Sequence, residues 1–166
     1  MTTITGTCQI CSRPIGFKAG IIAHHGYRRP GEGWQTASCY GARHVPFEIS
    51  RDRLGDYIAH VLETEHAKLS ARVAELAANE AGLVVAFTFK TRLTSIDRAT
   101  TTLLVSAANY NELKAAHPSP FLTYSSAHSF DSLRKLELQR QTSNLKMLKA
   151  ELFDARKRFA GWRPAA

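Results

Sequence analysis

Between Asp52 and Glu80, in the stretch DRLGDYIAHVLETEHAKLSARVAELAANE, apolar residues return at helical rather than strand intervals. Leu62, His66, Leu69, Val73 and Leu76 step by four, three, four and three residues, the seam of a coiled coil. Leu54, Tyr57, Ile58 and Val61 widen the apolar face near the start. The spacing predicts one long helix, capped by Ser50 or Asp52 and stopped at Gly82. A second long helix is predicted over 129–160, where Leu138, Leu145, Leu152 and Phe159 recur every seven residues. Leu148 and Ala155 fill the intervening positions, Gln141 is a polar break, Ser129 or Asp131 is the cap, and Gly161 ends the run. Between the helices, LVVAFTFKTRL (83–93) and TTLLVS (101–106) are rich in β-branched and aromatic residues and flank the polar TSIDRAT. That arrangement predicts a β-hairpin. FLTYS (121–125) is a candidate third strand, and NELKA a short helix before Pro118 and Pro120.

At ~1.5 Å per residue each long helix would reach roughly 40–45 Å. Two such stripes separated by a hairpin most simply pair antiparallel. A parallel homodimer through either helix is the competing arrangement. The polar seam positions His66 and Gln141 would set register if buried.

Residues 1–50 follow another pattern. They hold Pro14, Gly16, Gly20, Gly26, Pro30, Gly31 and Gly33, which mark turns, and few aliphatic runs. A segment so poor in apolar residues needs a staple in place of a core. The expected fold class is therefore α+β. An N-terminal zinc finger (1–50) precedes a long antiparallel helical hairpin, a coiled coil (51–166), with an inserted β-hairpin at about 83–106.

The staple is visible in the cysteines. All three of the chain, Cys8, Cys11 and Cys39, fall in this segment. An odd number suits a disulfide framework poorly, and clustered thiols in a reducing compartment usually mean metal. A C-x2-C turn presents two sulfurs to one tetrahedral ion, and Cys39 supplies a third. His25, His24 and His44 are the candidates for the fourth ligand; thirteen residues separate His25 from Cys11 and from Cys39, and Cys39 to His44 is also a zinc spacing. Three thiolates and one imidazole would fill the shell, so the cofactor expected is structural zinc.

The elements CxxC, GIIAHHG and SCYGAR together resemble small zinc-finger proteins of phages, plasmids and actinobacterial genomes. ARHVPFEISRDRLGDYI, two long helices and the terminal GWRP are similar to uncharacterised mobile-element proteins. The resemblance covers the first 60 residues well and the remainder in layout. It implies a zinc module with His25, five residues after Gly20, as the fourth ligand. It implies no activity.

The net charge is +8, from 22 basic and 14 acidic residues. Residues 1–50 carry +3 and residues 127–166 carry +5, so the basic ends could face a polyanion. Arg13, Lys18, Arg28, Arg29 and Arg43 lie inside the metal module beside Tyr27, Trp34 and Tyr40, types that grip phosphate and stack on bases. Packing of the aromatics inside the module is the alternative. Arg134, Lys135, Arg140, Lys146, Lys149, Arg156, Lys157 and Arg158 add charge in the second helix. His60, His66, His117 and His128 lie scattered without a paired carboxylate, and no G-x-S-x-G, phosphate loop or H-E-x-x-H is present. No catalytic residues are assigned and an enzyme is not expected. The expected role is non-enzymatic nucleic-acid binding. A protein–protein adaptor or inhibitor of a host system, acting through the helical hairpin, is the alternative. No run approaches the ~18–20 apolar residues of a membrane span, and the opening MTTITG lacks a secretory leader pattern, so no membrane partner and a cytoplasmic location in a bacterial host are expected.

Overall fold

The structure, a computed structural model, describes residues 5–27, 38–80, 82–92, 98–121 and 125–164. Three strands open the chain: β1 (Thr5–Thr7), β2 (Pro14–Lys18) and β3 (Ile21–Ile22), in the order β1-β2-β3 and antiparallel throughout. The turn between β2 and β3 has two residues, Ala19 and Gly20, both at positive φ (53° and 82°), as a tight hairpin of this hand requires. After a polar stretch come α1 (Asp52–Tyr57), one π-helical turn (Ile58–Leu62) and α2 (Glu63–Ala78). The second sheet is the hairpin β4 (Val85–Arg92) and β5 (Arg98–Val105), paired from Val85↔Val105 to Arg92↔Arg98. Then α3 (Tyr110–Ala116), α4 (Pro118–Phe121) and α5 (Phe130–Gly161) complete the order. The chain is mixed α and β, with small sheets and a long C-terminal helix, which agrees with the expected class; antiparallel pairing of the long helices is not established.

Contacts divide the chain into two units. Unit 1 is residues 1–68 and 146–166, and unit 2 is residues 69–145. In unit 2 the core is hydrocarbon and aromatic: Leu76, Leu83, Val85, Phe87, Val105, Tyr110, Phe121, Ala127 and Leu133 are buried together. The hairpin supplies this core by alternation, since Val85 and Phe87 face in while Ala86 and Leu104 are exposed. Phe121 packs at 5.1 Å from the Phe87 ring and edge-on at 5.8 Å to Tyr110. The Tyr110 hydroxyl donates to the Ala127 carbonyl at 2.8 Å, so the buried phenol is satisfied. The start of α5 is capped by Ser129, whose Oγ accepts from the Ser132 N–H at 3.2 Å. Arg134, nearly buried, donates at 2.7 Å to the Leu76 carbonyl in the last turn of α2, one of the groups a helix end leaves without an internal partner.

Three expectations change. The helix predicted over 52–80 is interrupted by the π-turn at Ile58–Leu62. It stops at Ala78 rather than at Gly82, because Asn79 takes the left-handed conformation (φ 53°) that ends helices. The third strand expected at 121–125 is not seen: Phe121 closes α4, and residues 122–124 lie outside the described residues. Ser50 Oγ accepts from the Asp52 N–H at 2.9 Å, while the cap position of α1 itself is taken by Arg51, which makes no side-chain cap hydrogen bond. Among the described residues no helix is long and apolar enough to cross a membrane.

Candidate metal centre

The site is built from two turns and one bridge in unit 1. Cys8-Gln9-Ile10-Cys11 is a tight turn between β1 and β2. The Cys8 N–H donates to the Arg13 carbonyl and the Ser12 N–H to the Cys8 carbonyl, both at 3.0 Å. Ser12 adopts φ 58° to let the chain reverse. Cys39 begins the second turn, closed by the Ala42 N–H to the Cys39 carbonyl at 3.0 Å. The bridge between Gly26 and Ser38 joins the two ends of the intervening loop, and the Cys39 N–H donates to the His25 carbonyl at 3.0 Å. His25 and Cys39 are thus brought side by side although thirteen residues part them.

The ligand atoms of Cys8, Cys11, His25 and Cys39 all lie within 4.8 Å of one another. Cys8 Sγ is 3.7 Å from Cys39 Sγ, and Cys11 Sγ is 3.5 Å from His25 Nε2. A tetrahedral ion with bonds of ~2.3 Å to sulfur and ~2.0 Å to nitrogen has S···S edges of about 3.8 Å and S···N edges of about 3.5 Å. Both observed separations match those edges. The three cysteines are buried and free of disulfides. With Nε2 turned to the sulfurs, the other ring nitrogen of His25, Nδ1, carries the proton and donates to the Ala23 carbonyl at 2.9 Å, which fixes the ring.

The electrostatics also ask for a cation. Hydrogen bonds from Cys39 and Cys8, with a further one from Arg13, hold the Cys11 thiol far below its ordinary range. The same bonds to Cys11 push the Cys39 and Cys8 thiols up, and burial adds to this. Crowded together, the three thiols cannot all lose their protons easily without a cation beside them. A bound dication would replace those protons, so uptake at neutral pH releases protons and weakens as pH falls.

Side chains around the ligands hold the turns. Gln9, 1% exposed, donates from Nε2 to the Val45 carbonyl at 2.9 Å and accepts the Leu54 N–H of α1 at 3.1 Å. Arg158, near the end of α5, donates to the Gln9 and Ile10 carbonyls, each at 3.0 Å, and to Ser12 Oγ at 2.6 Å. Burial lowers the pKa of its guanidinium, opposed by the field of Cys8. Gly41 passes so close to the Cys8 sulfur that a Cβ there would collide with it and meet Ile10 at 3.1 Å. Sequence reasoning missed these three residues. Gly41 had a signal, the Gly two residues after the third cysteine in SCYGAR; Gln9 and Arg158 had none.

The other expected ligands stand apart. His24 is exposed, and its Nε2 lies 2.8 Å from Ser38 Oγ. His44 is exposed and contributes only its carbonyl, to the Ile22 N–H at 2.9 Å. Of the basic residues expected to touch nucleic acid, Arg13 is half-buried; its Nε donates to Cys11 Sγ at 3.4 Å and its guanidinium also bonds the Gly26 carbonyl. Arg13 therefore serves the thiolates. Lys18 and Arg43 are exposed, Lys18 at the end of β2 and Arg43 in a left-handed conformation (φ 64°) with its N–H on the Ile22 carbonyl. Arg28, Arg29 and Trp34 lie outside the described residues. Tyr27 shares the Glu151 carboxylate of α5 with Tyr57, whose hydroxyl donates at 2.9 Å.

No protein-family model matches the chain, and no curated protein or solved structure matches it either.

Proposed function

We propose that this is a non-enzymatic zinc protein that binds nucleic acid, with the ion in a structural role. The observation that carries the metal reading is the donor set: three sulfurs and one imidazole gathered within 4.8 Å of one another, two of their separations at tetrahedral edge lengths, would fill a four-coordinate shell and leave no open position for a substrate or a reactive water. Thiolate-rich tetrahedral sites select zinc over oxygen-seeking cations. The resemblance of the cysteine and histidine segments to zinc fingers of phages and other mobile elements points the same way. Zinc holds the knuckle, the long C-terminal helix extends the surface, and cationic side chains take the polyanion. The charge supports this: unit 1 carries 14 of the 22 basic and 8 of the 14 acidic side chains, a balance of +6 against +2 for unit 2.

Cobalt substitution tests the metal half. Tetrahedral Co²⁺ bound by three sulfurs and a nitrogen should give intense d–d and sulfur-to-cobalt absorption at one equivalent, bleached by added zinc. Weak octahedral absorption alone would refute the site. For the second half, oligonucleotide affinity should fall steeply between low and moderate salt as phosphate contacts release counterions. No binding even at low salt would remove the nucleic-acid reading.

A further inference from the structure

The C-terminal half of α5 has two opposed faces. At 3.6 residues per turn, Leu148, Leu152, Ala155 and Phe159 fall on one side, and the first three are buried. Lys146, Lys149, Phe153 and Lys157 fall on the other, and all four are exposed. Among the described residues Phe153 is the most exposed of the large hydrophobic ones, at 67%. It stands in the middle of a cationic stripe roughly 16 Å long. Other charges on α5 are engaged: Arg134 and Lys135 pair with Asp131, Arg140 with Glu137, and Arg156 with Glu63. The three stripe lysines form no ion pair among the described residues. The acids nearby are Asp154, beside the stripe, and Glu151, turned to Tyr27 and Tyr57.

We infer that this face of α5 binds single-stranded nucleic acid. Phe153 stacks on an unpaired base, and Lys146, Lys149 and Lys157 meet the flanking phosphates. The inference rests on the nucleic-acid reading above and places it on a surface other than the metal module. Charge complementarity selects a polyanion. The lone aromatic inside the cationic stripe selects an unpaired strand, because stacking needs an exposed base face. An anionic membrane fits less well, since an interfacial helix buries a broad apolar face with its cations opposite or flanking, whereas here the cations share the stripe of a single ring.

The test is fluorescence anisotropy of a labelled oligothymidylate with the full-length zinc-loaded protein, across salt concentrations. Phe153→Ala should weaken binding roughly tenfold, and Phe153→Trp should keep it. Lys149→Gln with Lys157→Gln should lower the slope of log affinity against log salt by about 1.4, two single-strand phosphate contacts. Phe153 is exposed, so unchanged zinc content and circular dichroism are expected of every variant. Wild-type binding that none of these substitutions alters would overturn this surface and leave the nucleic-acid reading intact. No binding by the wild type would overturn both. Binding to phosphatidylserine vesicles that Phe153→Ala abolishes, without oligonucleotide binding, would overturn the inference in favour of a membrane.

Discussion

Both units bury apolar side chains, but unit 1 adds a cluster of thiols and an imidazole that unit 2 lacks among the described residues. In unit 2 the interior is Leu76, Val85, Phe87, Val105, Tyr110, Phe121 and Leu133, all apolar or satisfied by a hydrogen bond. Unit 1 also buries apolar side chains, among them Ile22, Leu54, Leu62, Leu148 and Leu152, but its N-terminal turns enclose three buried thiols, an imidazole, a buried Gln9 and the guanidinium of Arg158. Burying apolar surface stabilises whatever the solution conditions hold in metal or protons, to a first approximation. A cluster of crowded thiols does not: without a cation it costs energy to assemble, and with one it becomes the strongest bond set in the region. The comparison teaches that one chain can set a cluster built for a cation beside apolar cores that need none. Each unit should therefore fail under a different perturbation.

The largest effect should come from Cys39→Ser. Losing one of three thiolates should abolish stoichiometric zinc and cost unit 1 several kcal/mol, given apparent contributions of about 10 kcal/mol or more from structural zinc. Elemental analysis would check the metal, and amide exchange should show protection lost at Cys8–Arg13 and kept at Val85 and Leu133. Next, Leu133→Ala, at a fully buried site of unit 2, should cost about 2–5 kcal/mol there while zinc content stays at one equivalent. If Leu133→Ala released the metal, the separation of the two units would be wrong. Arg158→Met comes third. It leaves the Gln9 and Ile10 carbonyls short of a donor, for about 1–3 kcal/mol, and should weaken zinc roughly tenfold or more in chelator competition. Ser129→Ala should cost about 1 kcal/mol, confined to unit 2, by removing the cap of α5. Smallest, and opposite in sign, Ala19→Asn should stabilise unit 1 by up to about 1 kcal/mol, because asparagine tolerates the left-handed turn position that alanine resists; urea denaturation would register it.

These contrasts also mark what the sequence could and could not disclose. Long periodic stretches were legible. The helix predicted over 129–160 spans Phe130–Gly161, and the hairpin expected at about 83–106 runs Val85–Val105. Such elements are set by many residues repeating one local preference. The three cysteines were legible as a cluster because their chemistry has few other uses in that setting. The choice among His24, His25 and His44 was not, on spacing alone. It depends on the Gly26–Ser38 bridge, a pairing between segments that share no local signal. The π-turn at Ile58–Leu62 left no trace in the pattern, since Leu54, Ile58 and Leu62, four residues apart, suit an ordinary helix as well as one carrying a wider turn. Least legible was Arg158, which grips a turn 148 and 149 residues before it through the Ile10 and Gln9 carbonyls, groups that any sequence would present. The contact of Arg13 with Cys11 was hidden for a related reason: charge alone does not say which arginine lies against a thiol.

The central claim is that a dication on Cys8, Cys11, His25 and Cys39 holds the N-terminal turns of unit 1 and not unit 2. Hydrogen exchange on the purified protein, before and after complete chelation, tests it most directly. The account predicts one zinc per chain and, on its removal, fast exchange across Cys8–Arg13 and Cys39–Ala42 with unchanged protection at Val85, Val105 and Leu133. A protein that carries no metal yet keeps those first amides protected would contradict it.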